Sequence, residues 1–98
     1  LAKKAYRIKI ASGAAREAVE AIDYYGDIEV KLGTRLRAEL KSALKAIKSN
    51  PVAFQIRYDS VRLYHLPVFP YSIHFEVFED EKLVHILAIL HQHREQPK

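Results

Sequence analysis

The sequence predicts an α+β fold, a two-layer sandwich in which a two-helix hairpin packs on one face of an antiparallel sheet, in the order β-α-α-β-β-β. Three observations predict it. A short alternating segment near the start is followed by two stretches with apolar residues at helical spacing. Asn50-Pro51 then closes the helical half, because a residue before proline disfavours the helical region. After it come three segments of strand composition, separated by a proline loop and a polar turn. The 98 residues suffice for one domain around one core, so a single domain is expected over 1–98.

Each element follows from its pattern. Tyr6-Arg7-Ile8-Lys9-Ile10 alternates, with Ile8 and Ile10 on one face of a half-buried strand. Ser12 is the expected N-cap of the first helix, since its hydroxyl can accept from free amides of the next turn. Ala15, Ala18, Val19, Ile22 and Tyr25 form that helix's apolar stripe, and Gly26-Asp27 ends it. Leu32, Leu36, Leu40, Ala43, Leu44 and Ile47 form a longer stripe, with Lys31, Arg35, Arg37, Glu39, Lys41 and Lys45 as its solvated face. Gly33 is a weak point there, costing about 1 kcal/mol relative to Ala. Val61–Leu66 is β-rich, and Pro67-Val68-Phe69-Pro70 is a loop because two prolines remove two ladder donors. Ile73, Phe75 and Val77 alternate with Ser72, His74 and Glu76. Glu79-Asp80-Glu81-Lys82 is a polar turn, and Leu83–His91 is a strand apolar on both faces, hence interior. The helical and strand stripes satisfy each other only across one interface, which places Ile22, Leu36, Leu40, Leu44, Ile73, Phe75 and Ile86 in a common core. The other sheet face is left for function.

Composition narrows the function classes. An apolar fraction of 49% excludes a disordered chain. No apolar run approaches the ~20 residues that span a bilayer, and Leu1-Ala2-Lys3-Lys4 has no apolar stretch behind it, so neither a membrane span nor a signal peptide is expected. With no cysteine there is no disulfide or thiolate chemistry, and the cytoplasm is the simplest compartment. A net charge of +4 favours anionic partners: nucleic acid, ribosome or an acidic protein.

Several blocks carry a family resemblance: the order of elements, Asp23-Tyr24-Tyr25 closing the first helix, Asn50-Pro51, and Val61-Arg62-Leu63. They continue with Phe69-Pro70-Tyr71-Ser72-Ile73-His74-Phe75 and Ile89-Leu90-His91-Gln92-His93-Arg94-Glu95-Gln96-Pro97. From about Tyr6 to Pro97, by order and spacing rather than by one motif, the chain resembles the RelE/ParE toxin superfamily. The resemblance implies the toxin of a type II toxin–antitoxin pair, neutralised by a cognate acidic antitoxin, with roles in plasmid stabilisation or growth arrest. RelE-like members cleave messenger RNA on the ribosome; ParE-like members inhibit DNA gyrase.

Metal-independent RNA cleavage needs a base for the 2′-hydroxyl, an acid for the leaving oxygen and cations for the phosphorane. His74, His91, His93 and Arg94 are the candidates for such a site. With the hairpin tip at Asp80-Glu81, His74 and Glu76 are expected to share a face with His85, Leu87, Ile89 and His91, and Glu76 to lie opposite His85. Arg57, Arg62, Tyr64, Tyr71 and Arg94 are the candidates for contact with target or antitoxin, the tyrosines because their rings can stack on bases. His91 and His93 have the spacing of a metal pair, but no further ligand is evident where zinc needs three or four, so no metal and no cofactor are expected. Ribosome-dependent nucleases of the superfamily commonly carry an arginine in the strand after the Pro-Tyr element. Ser72 stands there, and the chain ends soon after Arg94, short of the tail that supplies a late tyrosine or basic residue in some nucleases. Both departures favour the ParE-like branch of the superfamily, a gyrase inhibitor that acts by binding. The alternatives are a ribosome-dependent endoribonuclease and a non-toxic antitoxin-binding module.

Overall fold

The computed structural model describes residues 5–93. Strand β1 (Arg7–Ile10) leads into helices α1 (Ser12–Ile28) and α2 (Val30–Ser49); a 3-10 turn (Pro51–Ala53) precedes β2 (Ile56–Tyr58), β3 (Val61–His65), β4 (Tyr71–Phe78) and β5 (Leu83–His91). The sheet order is β1-β5-β4-β3-β2, and the helical pair covers one face. The two-layer α+β sandwich predicted from the sequence is the observed one. Leu36, Ile73, Phe75 and Ile86 are fully buried, Leu40 nearly so, and Ile22 and Leu44 pack against them at its margin.

Two features of the sheet differ from the expectation. It has a fifth strand, β2, too short at three residues to show a periodicity. It is also mixed, because β1 pairs with β5 in parallel, Ile8 opposite Val84 and Ile10 opposite Ile86. Alternation reads the same in either direction, so it carries no information on the sense of β1. A parallel neighbour needs a long crossover, and the helical pair with the antiparallel run β2–β5 supplies one.

The helix boundaries also have local causes. Ala11, not Ser12, is the N-cap of α1, and no side chain caps it. Ala11 continues the extended line of β1 and donates its N–H to Ile86 O, so Ser12 falls inside the first turn. A single extended residue, Glu29, separates α1 from α2. The helices then touch through glycine: a Cβ on Gly33 would lie 2.9 Å from Gly26 Cα and 3.0 Å from Ile22 O. Gly33 is therefore a point of close backbone contact between the helices rather than a weakness of α2. Glu39 leaves the solvated face of α2, and its carboxylate accepts from Val68 N and Phe69 N, tying the proline loop to the helix.

A register shift in β4–β5 decides which residues share a face. Glu76 pairs with His85 as expected, but His74 pairs with Ala88 and Phe75 with Ile86. The extra residue on β5 is a bulge, which rotates everything beyond it to the opposite side. Ile89 consequently turns into the core and His91 pairs with Tyr71 on the helical side, while Ala88 and Leu90 pair with His74 and Ser72. His74 and His91 thus lie on opposite faces, contrary to the sequence expectation.

Candidate functional site

The open sheet face carries a polar ladder down the middle of β4. Ser72 and His74 are 3% and 4% exposed, and Glu76 follows them. Leu63 and His65 of β3 pair with His74 and Ser72, which places them on the same face. His65 Nδ1 lies 2.6 Å from Ser72 Oγ, and Tyr58 OH lies 2.8 Å from His74 Nδ1. Ser60 donates to Glu76 Oε2 at 2.7 Å. Each inner polar side chain is thus covered by one from β2, β3 or the turn between them. Burial, with the nearby charges of Asp59 and Glu76, pushes the Tyr58 phenol above its ordinary value of 10.0, so it remains a neutral hydroxyl at physiological pH.

This face lacks cations from its three long strands. β4 and β5 contain neither lysine nor arginine, and β3 contains only Arg62. Arg62 pairs with Phe75 and so points to the helical side. There its Nη1 donates to Phe54 O at 2.7 Å and Val52 O at 3.3 Å, and its Nε is buried without a partner. Tyr64 also faces inward, with its ring centroid 5.3 Å from that of Phe54. Of the candidates for contact with a partner, Arg57 is exposed on the edge strand β2, Arg62 and Tyr64 are packed inward, and Tyr71 is buried beside Tyr25 and His91. Arg94 lies outside the described residues.

The candidates for RNA cleavage do not converge. His74 is beneath Tyr58 on the open face. His91 and His93 lie at the far end of β5, their ring centroids 5.5 Å apart. His93 N donates to His91 Nδ1 at 3.2 Å, which leaves that nitrogen an acceptor. Among the described residues no three His, Cys, Asp or Glu side chains come together as a metal site. Among the same residues no helix is long and apolar enough to cross a membrane.

A second feature was not anticipated. β1 pairs with β5 only as far as Ile86, so the upper half of β5 has an edge that β1 does not cover. Glu17 of α1 reaches it, its carboxylate accepting from Ile89 N at 2.9 Å. Beside this contact lies a cleft of about 600 Å³ lined by Glu17, Glu20, Tyr24, Tyr25, Tyr71 and His91, with Leu90 at its wall. Of these, only Tyr71 and His91 were candidates from the sequence. Glu17, Glu20 and Tyr24 do share one helical face by spacing, but nothing local tells that this face meets the end of β5.

Comparison with known proteins agrees with this geometry. Residues 8–96 match the profile of the family described as the ParE toxin of the type II toxin–antitoxin system parDE. No curated protein sequence matches the chain. Among solved structures, it is similar to the chromosomal ParDE toxin–antitoxin system of P. aeruginosa, with a TM-score of 0.72 and 21% identity over 86% of this chain and 92% of that one. The isolated RelE toxin of E. coli gives a TM-score of 0.68 and 20% identity over 94% and 89%. The intact E. coli RelBE complex gives 0.65 and 20% over 87% and 94%.

Proposed function

This chain belongs to the ParE toxin family of type II toxin–antitoxin systems, and on that premise we propose that it arrests growth by binding DNA gyrase and contributes no catalytic residue of its own. The observation that carries this reading is the sheet face on which a nuclease of this fold would work. β3, β4 and β5 place no cation on it, Ser72 is engaged by His65, and the histidines that could exchange protons are split between two faces. Arg7 and Lys9 of β1 lie across β5, opposite Leu83 and His85; a developing phosphorane beside Ser72 and His74 would meet no lysine or arginine of β3, β4 or β5, and losing one such donor typically costs 10²–10³-fold in rate. Inhibition by binding needs no such charge.

Its natural partner is a short acidic antitoxin that is partly disordered until it binds. The net charge of +4 supports an acidic partner, and the solved relatives include toxin–antitoxin complexes. The uncovered edge of β5 beyond Ile86 and the tyrosine-lined cleft beside it offer backbone hydrogen bonds and apolar contact to an extended segment. The protein works in the cytoplasm, where both candidate targets are found.

One observation favours a second reading. Tyr58, His74, Glu76 and His85 do lie on one open face, so ribosome-dependent mRNA cleavage is the alternative. A paired assay separates the two. The purified chain should block supercoiling by gyrase in vitro, while ribosome-bound mRNA stays intact at the same concentration. Intact supercoiling together with cut mRNA would establish the second reading; neither effect would leave an antitoxin-binding module without toxicity.

A further inference from the structure

The charge of this protein is concentrated on one helix. Six of the sixteen Lys and Arg residues, but one of the twelve Asp and Glu, lie in α2, a net +5 in twenty residues. The rest of the chain therefore carries −1, and α1 alone, with Arg16 against Glu17, Glu20, Asp23 and Asp27, carries −3. The core-facing side of α2 is formed by Gly33, Leu36, Leu40, Ala43 and Ile47. Its single carboxylate, Glu39, is turned away to the Val68 and Phe69 amides. At about 100° per residue, Lys31, Arg35, Lys41 and Lys45 project from the far side and Lys48 from its edge, in a band about 140° wide, and all are exposed. Arg37, also exposed, borders the seam with α1, near Asp23 and Asp27. From Lys31 to Lys48 the row is about 26 Å long at 1.5 Å per residue.

The row continues past the end of the helix. Lys45 and Lys48 line a cleft of about 740 Å³ together with Lys82 of the β4–β5 turn, Tyr6 and Glu79. Lys82 has φ 52°, a left-handed conformation that favours Gly or Asn, and its ammonium lies 4.9 Å from the Tyr6 ring centroid. A strained backbone thus holds a further cation at the end of the row.

We propose that the outer face of α2, extended by Lys82, binds the phosphate backbone of duplex DNA without reading its sequence. The residues between the cations decide the class of partner. Thr34, Ala38, Ser42 and Ser49, between the cations, are small and exposed. Protein interfaces depend on buried aromatic or aliphatic anchors and are depleted in lysine at their centres. Here the exposed apolar side chains are two valines at the ends, Val30 at the start of α2 and Val52 in the cleft beside Lys45 and Lys48, whereas Val19, Tyr24, Ile28 and Val68 lie outside α2. A single-stranded nucleic acid would call for aromatic stacking platforms, and α2 has no aromatic residue. A rigid band of point charges with small residues between them fits the phosphates that border a duplex groove, where binding is driven by counterion release. The acidic α1 beside it confines the contact to one side of the hairpin. The surface is separate from the sheet face and the β5 cleft, and its existence does not depend on which target the toxin inhibits.

The test is the salt dependence of binding between the purified full chain and a 20-base-pair duplex of arbitrary sequence. Three to five phosphate contacts predict a slope of about −3 to −4.5 in log K against log salt. Lys41→Gln with Lys45→Gln and Lys48→Gln should lower the slope magnitude by about 2.5 and the affinity at 0.1 M salt on the order of 10²-fold. Arg7→Gln with Lys9→Gln and Arg16→Gln removes the same charge from elsewhere and should leave the slope unchanged. Helical circular dichroism of both variants should match the parent, since all six residues are exposed. Equal losses in the two variants would show a net-charge effect and overturn the assignment. So would failure to bind the duplex, tighter binding of single-stranded RNA, or binding of polyglutamate as tight as that of DNA, which would make this a face for an acidic protein.

Discussion

Substituting Gly33 by alanine tests whether the helical hairpin closes as described. At an exposed helix position Gly→Ala is favourable by about 1 kcal/mol, because alanine loses less backbone entropy. At Gly33 the added Cβ would stand 2.9 Å from Gly26 Cα, 3.0 Å from Ile22 O and 3.2 Å from Gly26 N. Carbon atoms in contact prefer about 3.5–4.0 Å, so α1 and α2 would have to part by roughly half an ångström or more. All three neighbours are backbone, and no side chain can rotate to relieve them. Overpacking of this kind typically costs about 1–3 kcal/mol. Set against the gain in propensity, Gly33→Ala should lower stability by about 1 kcal/mol, the middle of a range of about 0–2. Gly13 supplies the control: a Cβ there would meet only Arg16 Nη2, at 3.9 Å, so Gly13→Ala should raise stability by about 0.4–1 kcal/mol. Urea unfolding followed by circular dichroism reads both midpoints. Two substitutions of the same type should move them in opposite directions. A Gly33→Ala protein more stable than the parent, as at an unencumbered helix position, would refute the close glycine contact.

Further predictions concern the core, the polar ladder, the histidines and the partner. Leu40 is 6% exposed, and Leu40→Ala should cost about 2–5 kcal/mol in urea unfolding. The phenol of Tyr58 should titrate above 10 by ultraviolet difference absorption. Below pH 10 the phenol is neutral in both folded and unfolded chains; above it the unfolded chain ionises first, so this group's contribution to stability should fall from about pH 10 upward. Tyr58→Phe should abolish that alkaline loss and cost about 0.5–1.5 kcal/mol through the missing hydrogen bond to His74. His91→Ala with His93→Ala should leave growth arrest largely unchanged, as scored by colony formation after induction, on the proposal that neither ring acts as acid or base. In stopped-flow mixing with the antitoxin, added salt should slow association more than it speeds dissociation, since steering charges act on encounter.

The α2 stripe and the alternation of β4 could be read directly, because each has many turns or residues in phase and one apolar side. Failures arose where the phase was short or undefined. β2 offers three residues. The run Ile86-Leu87-Ala88-Ile89-Leu90 is apolar at every position, so the bulge within it leaves no mark in the pattern, and with it went the side on which His91 lies. Val61-Arg62-Leu63-Tyr64 has a clear alternation, but a guanidinium reads as a surface group. Its inward position depends on the Val52 and Phe54 carbonyls of the 3-10 turn, which come together with it only in three dimensions. Gly33 carried a propensity cost in the sequence and a tertiary contact in the fold, and only the first is a local property.

We propose a toxin that binds gyrase and does not cut RNA. The most direct measurement is made in one culture in which this chain is induced without antitoxin, mapping new mRNA 5′ ends and the supercoiling of a resident plasmid at the same time points. Inhibition of gyrase by binding predicts progressive loss of plasmid supercoiling at the onset of arrest, with no new codon-phased 5′ ends. Codon-phased cuts that precede arrest, with the plasmid still fully supercoiled, would contradict it.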